Sequence, residues 1–227
     1  SDLQQKATAL ATRRIGLGIT GLADALLMLG LPYDSAAART FAADVMRAIR
    51  FAAIAASIAL AREKAPFPAF DRDAYLAAPS IAALPAELRA GIAAHGLRNS
   101  HLTAIAPAGS ISLLAGNVSP GVEPIFAADQ SRRIRDRAGN ARVHMLTDYA
   151  VAQWRHAGHD GTPPGLAAAA ALSIDAHIAM LAALVPHVDS AISKTITVPA
   201  DCPFVTFADV FERAHAAGLK GCTVFRP

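Results

Sequence analysis

Cysteine is nearly absent. Cys202 and Cys222 are the only two in 227 residues, too few to staple a chain of this length, and the usage fits a reducing compartment. Neither stands in a C-x-x-C pair and neither has a histidine close in sequence to act as its base, so inert or core thiols are expected. Long apolar runs are missing too. The longest covers residues 51–61 and is closed by Arg50 and Arg62; these eleven residues fall short of the roughly 20 that span a bilayer. The opening SDLQQKATALATRR has the wrong order of charge and apolarity for a secretory signal. Charged residues make up 17% and hydrophobic residues 53%, a balance opposite to that of disordered chains. A soluble, cytoplasmic protein with a sizeable core is expected, organised as one domain over residues 1–227.

An excess of one charge is small as well, at +3. The one basic concentration is Arg132, Arg133, Arg135 and Arg137, with Asp136 inside it. It has no interleaved aromatics for bases to stack on, so a solvated surface, a phosphate contact or a subunit contact is expected rather than nucleic acid. Several chemical signatures are also lacking. There is no G-x-S-x-G elbow. Of the histidines, His156 and His159 are separated by a helix-breaking Gly158, while His177 and His187 lie farther on. No carboxylate or cysteine joins them at ligand spacing, so no metal site is expected.

Alanine-rich segments carry helical periodicity. The pattern predicts a helix over 34–63, capped by Asp34 or Ser35, with Phe41, Val45, Ile49 and Ile58 at turn spacing and Pro66 and Pro68 ending it. Further helices are expected over 85–95 (stopped by Gly96), 141–156 and 173–185. Thr206 with Asp209 resembles a capping box opening a helix to 217, closed by Gly218. Strands are expected at 102–106, 192–198 and 223–225. This alternation gives an α/β class.

Two glycine-bearing segments invite phosphate chemistry. Residues 16–21, GLGITG, satisfy G-x-G-x-x-G, but a polar, helix-like stretch precedes them where a dinucleotide fold needs a strand. Close packing of a turn explains these glycines better. The second segment is Pro107, Ala108, Gly109, Ser110, Ile111 and Ser112, which follows a strand candidate. Proline ends the strand, Gly109 permits close backbone approach, Ser110 and Ser112 offer hydroxyls, and successive amides can surround a phosphate. It has no lysine, which disfavours a Walker-type ATPase. Just downstream, GNVSPGVEP holds a single carboxylate, Glu123, suited to bracing a backbone or acting on substrate. Asn99 is placed to brace the strand that follows it.

In this order the chain carries RRIGLG with GLAD, EKAPFP, Arg98-Asn99, IAPAGSIS, SPGVEPIFA, DSAISKTI and GLKGCTVFRP. These phrases resemble the carboxy-terminal half of the catalytic barrel of adenosylcobalamin-dependent (class II) ribonucleotide reductases, over nearly the whole chain. The resemblance implies part of a ten-stranded α/β barrel, and a substrate-phosphate loop at Pro107, Ala108, Gly109, Ser110, Ile111 and Ser112. Ala108 stands where the family usually has threonine, and Ala65 where it has glycine. The implied reaction replaces the ribose 2′-hydroxyl by hydrogen through a cobalamin-generated thiyl radical. The implied substrate is a ribonucleoside di- or triphosphate, with the diphosphate favoured. The family's N-x-C-x-E motif and its reducing cysteines are not in this sequence, so no catalytic residue is assigned, Glu123 and Cys222 included. Two expectations follow: a portion of such an enzyme, inactive alone and associating with the other barrel half or with itself; or a binding or structural module that keeps the fold without the chemistry.

Overall fold

The computed structural model describes residues 2–135, 139–166 and 171–226. Its contacts resolve into two compact units. The first comprises Ser1–Gly18, Ala43–Ile105 and Leu184–Ala191, and the second Ile19–Ala42, Ala106–Ala183 and Ile192–Pro227.

The longest helix, α3 (Ala36–Lys64), contains the boundary between them; α1 is Asp2–Thr12 and α2 is Leu22–Met28. Ser35 rather than Asp34 caps α3, its Oγ accepting from the Ala38 amide at 3.0 Å. In the first unit, α4 (Arg72–Ala77), α5 (Pro79–Ala82) and α6 (Ala86–His95) follow. Their apolar faces bury Ile81, Leu84 and Ile92 with Ala53, Ile54 and Ile58 of α3, joined by Phe67, Leu97 and Leu102. A side chain at Gly91 would meet Ile58 Cδ1 at 3.0 Å, so the absence of one lets α6 lie close on α3. Phe67, Phe70 and Tyr75 meet edge-on beside this core, the Phe67 ring 5.4 Å from Phe70 and 5.9 Å from Tyr75. The expected strand at 102–106 reduces to a parallel bridge, Leu17 to Thr103.

The second unit holds α2, α7 (Gly109–Leu114), β1 (Asp129–Arg135), β2 (Ala141–Thr147), α8 (Tyr149–His156), α9 (Ile174–Leu184), β3 (Thr195–Thr197), α10 (Phe204–Ala216) and β4 (Thr223–Phe225). The first three residues of β1 register antiparallel with Thr147, Leu146 and Met145, and β3 runs parallel to β4 with Ile196 opposite Val224. Helices and short strands thus give the expected α/β class. α2 packs against α8, and Leu26, Val151, Met180, Leu181, Ile196 and Val210 are buried in this unit. No helix among the described residues is long and apolar enough to cross a membrane.

Three expected elements are corrected. The segment 141–156 is not one helix. Its first half alternates as β2 to pair with β1, and Asp148 then starts α8 by accepting from the amides of Ala150 and Val151 at 3.1 and 3.4 Å. The strand at 192–198 shortens to Thr195–Thr197, the stretch that β4 pairs. Thr206 and Asp209 form no capping box, because α10 already begins at Phe204, behind Pro203. Asp209 instead approaches Arg213, one turn on, at 3.6 Å. Of the basic concentration, Arg132, Arg133 and Arg135 belong to β1, whereas Asp136 and Arg137 lie outside the described residues.

Candidate functional site

Proline has no amide to continue the preceding extended segment, and after Pro107 the chain turns sharply. Ala108 takes a left-handed conformation, φ +47°, and α7 begins at Gly109. The first bond within this helix runs from the Ser112 amide to the Ala108 carbonyl, 2.8 Å. The amides of Gly109, Ser110 and Ile111 therefore have no acceptor inside the helix, as in any first turn. All three residues are exposed, and a Cβ built on Gly109 would meet no atom within 4 Å. An anion has room to approach them. Ser112 differs from the expectation that both serines present hydroxyls. It is buried and its Oγ donates to the Val118 carbonyl, so the outward-facing hydroxyl of the segment is that of Ser110.

Behind α7, residues 116–121 are held by a carboxylate not among the residues expected to form a site. Asp24 of α2 is buried; its Oδ2 accepts from the Ser119 amide at 2.5 Å and its Oδ1 from the Ala150 amide at 2.9 Å. Ser119 returns the contact, its Oγ accepting from the amides of Ala23 and Asp24 at 3.2 and 3.4 Å. Asp148, also buried, shares the Ala150 amide with Asp24. Burial, then the neighbouring Asp24 charge, pushes the Asp148 carboxyl up to about 7. Its folded value therefore lies above its unfolded one, and folding favours the protonated form. That contribution to stability is complete below the ordinary carboxylate range and is lost as pH rises through about 7.

Glu123 proves to be a brace. Its Oε1 accepts from the Thr195 amide at 2.6 Å, and its Oε2 accepts from Lys194 Nζ at 3.1 Å. Lys194 is 2% exposed, so a full cation lies inside the second unit. Its three ammonium hydrogens reach Glu123, the Thr195 carbonyl at 3.0 Å and His177 Nδ1 at 2.7 Å. That geometry makes His177 Nδ1 the acceptor. Burial lowers the Lys194 pKa while Glu123 works against the shift. Tyr33, whose ring centroid is 5.9 Å from Nζ, donates its hydroxyl to the Val122 carbonyl, and burial raises its pKa.

Other recurrent phrases also do structural work. Arg98 donates to the carbonyls of Lys64 and Ala65, closing the end of α3, where Ala65 adopts φ +64°. Asn99 donates to the Arg13 carbonyl at 2.8 Å and accepts from Ser57 Oγ at 3.1 Å. In the G-x-G-x-x-G segment, Leu17 bonds to the backbone at Leu102 and Ala104. A Cβ on Gly18 would lie 2.2 Å from the Ala104 carbonyl oxygen. With α1 in front of it and a neighbouring backbone pressed against it, this segment is a packed turn and not a pyrophosphate site. Cys202 is buried, and burial raises the Cys222 thiol. The imidazole of His159 stacks on Trp154 at 3.9 Å. Among the described residues, no three His, Cys, Asp or Glu side chains are grouped to hold a metal ion.

Lys194 and Asp24 carried a faint signal: each is a lone charge inside an apolar run, AISKTITV and GLADALLM. Such a charge, once buried, needs partners. The partners were invisible because they come from distant segments.

Comparison with known proteins agrees with this framework. The family model "Ribonucleotide reductase, barrel domain" matches residues 3–225. The vitamin B12-dependent ribonucleoside-diphosphate reductase of Mycobacterium tuberculosis is 35% identical over 241 residues, covering 96% of this chain and 32% of the relative. Its namesake from Thermoplasma acidophilum is 31% identical, covering 98% and 29%. The large subunit of the Caenorhabditis elegans ribonucleoside-diphosphate reductase is 34% identical over 149 residues, 60% of this chain. The chain thus spans about a third of the length of the B12-dependent relatives. By the extent of these matches, the chain belongs to the ribonucleotide reductase barrel-domain family.

Proposed function

We propose that the chain is part of a cobalamin-dependent ribonucleoside-diphosphate reductase, with Pro107, Ala108, Gly109, Ser110, Ile111 and Ser112 as the seat for the substrate's phosphates. One observation carries this reading: the exposed residues Gly109 to Ile111, whose amides have no acceptor inside α7, with open space over Gly109. Oriented amides at a helix start suit a phosphate because they satisfy its oxygens without adding a mobile side chain. Ser110 adds a hydroxyl donor, while Ser112 fixes the helix from below through Val118. Ala108 holds the turn without the hydroxyl that a threonine would add. The match over residues 3–225 supports treating residues 1–227 as one portion of that barrel domain.

In a complete enzyme, cobalamin supplies the radical that starts ribose reduction. This chain's own contribution is binding and orientation. Exposed apolar side chains, among them Leu114, Met145, Phe204 and Val205, support association with further barrel segments or with a second copy.

Two measurements test the reading. Titration with ribonucleoside diphosphates should show binding by the wild-type chain and at least about tenfold weaker binding by Gly109→Asp, which sets a carboxylate against the phosphate. Equal binding by both removes the assignment. The 227-residue chain supplied with adenosylcobalamin and a reductant should not turn over ribonucleotides; sustained deoxyribonucleotide formation would show that its chemistry is self-contained.

A further inference from the structure

Two buried carboxyl groups gathered on one backbone amide oppose the ionisation of both, since like charges held close and away from water repel. Asp24 and Asp148 are in this position: they are 3% and 4% exposed, and both accept from the Ala150 amide, at 2.9 and 3.1 Å. We propose that one proton shared by Asp24 and Asp148 positions residues 116–121, and through them the start of α7, so that the phosphate seat is proton-linked. The link to phosphate rests on the function proposed above; the shared proton does not.

The route is a chain of contacts inside the second unit. Asp24 holds the Ser119 amide, and Ser119 Oγ holds the start of α2. The carbonyl of the adjoining residue, Val118, receives the Ser112 hydroxyl from α7. Asn117 completes the tie, its amide donating to the Ser112 carbonyl at 2.9 Å and its side chain to the Thr147 carbonyl at 2.9 Å. Loss of the shared proton sets two negative charges against each other at the point where α2, residues 116–121 and α8 meet. The backbone amides that both carboxyls hold are then the contacts available to give way.

Among the described residues, no cation acts on Asp148 to offset that repulsion. Asp24 is the charged group acting on Asp148 from α2, and residues 116–121, GNVSPG, contain no titratable side chain. On α8, Arg155 is engaged by Asp129 at 2.8 Å, His156 Nδ1 meets the Ala152 carbonyl, and the Tyr149 ring lies under Gly116. The pair thus acts as a positioning element, with Asp24 as the arm that reaches the loop.

Asp148→Asn separates a proton effect from a merely structural one, because the amide keeps a donor for Asp24 and an acceptor for Val151 but cannot ionise. The wild-type 227-residue chain should show a carboxylic-acid infrared band at pH 6 that disappears by pH 8.5; Asp148→Asn should lack it. Amide-exchange protection at Ser119 and Ala150, corrected for the intrinsic base-catalysed rate, should fall about tenfold over the same interval in the wild type and less than about twofold in the variant. Absence of the acid band, or the same loss of protection in Asp148→Asn, overturns the proposal. Titration with inorganic pyrophosphate tests the link to α7. The affinity of wild type relative to Asp148→Asn should drop about fivefold or more between pH 6 and 8.5. A ratio that stays constant overturns the link. If pyrophosphate binds neither protein at either pH while the band and exchange shifts are present, the phosphate reading fails and the shared proton stands. Asp24→Asn, which keeps one acceptor oxygen for two amides, should expose Ser119 or Ala150 to exchange at both pH values.

Discussion

Lys194→Ala should cost about 3–5 kcal/mol of unfolding free energy, the range found when one partner of a buried ion pair is removed. Two effects act together. The variant leaves a cavity where a long side chain was fully enclosed, and it strands Glu123, which is itself 8% exposed, without its cation. Lys194→Met separates them, filling most of the volume while leaving the carboxylate uncompensated. Combining Lys194→Met with Glu123→Gln should recover much of the loss, because no unpaired charge then remains and the amide oxygen can still accept from Thr195. Urea unfolding of the three variants decides the matter. A single-variant cost below about 1 kcal/mol would show that the ammonium is solvated in a way the structure denies.

The second large effect is at Gly18. A methyl group there would stand 2.2 Å from the Ala104 carbonyl oxygen, well inside contact distance, and the obstacle is backbone rather than a side chain that can rotate. Relief requires the two segments to part. Leu17 and Ala104 are bonded across that line, with Leu17 N to the Leu102 carbonyl at 2.8 Å and Ala104 N to the Leu17 carbonyl at 2.9 Å. Gly18→Ala should therefore destabilise the chain by about 3 kcal/mol or more, combining overpacking against backbone with the loss of at least one backbone hydrogen bond. Gly109→Ala is the matched control. With open space around it and a helical conformation, it should change stability by no more than about 0.5 kcal/mol. If the two substitutions have equal effects on the thermal midpoint, the packing account of Gly18 is wrong.

These glycines show what the sequence could disclose. A helix before GLGITG argued against a dinucleotide site from pattern alone, and α1 is that helix. The long α3 and the short α6 were legible because alanine-rich periodicity and flanking proline or glycine are local signals. The hairpin of β1 and β2 was not. Arg-Val-His-Met-Leu reads equally well as a helix, and its pairing with β1 is what fixes the extended form. The segment 107–112 could be singled out by composition and resemblance. That Ser112 points inward could not, since its partner at Val118 becomes visible only once α7 has formed. Lys194, Asp24 and Asp148 were hidden for a related reason. A charged residue states its own cost of burial, but the groups that offset it come from loops far away in the chain.

The joinery around Asn99 bears on how this family is recognised. Ser57 Oγ takes the amides of Arg98 and Asn99, Asn99 clasps Arg13, and Arg98 finishes the helix end at Lys64 and Ala65. Most words of the family signature in the first unit are thus fasteners between stretches of chain, not reagents. A descendant that had abandoned radical chemistry would still need every one of them to stay folded. Kinship read from such words therefore tracks the inherited joinery of the first unit.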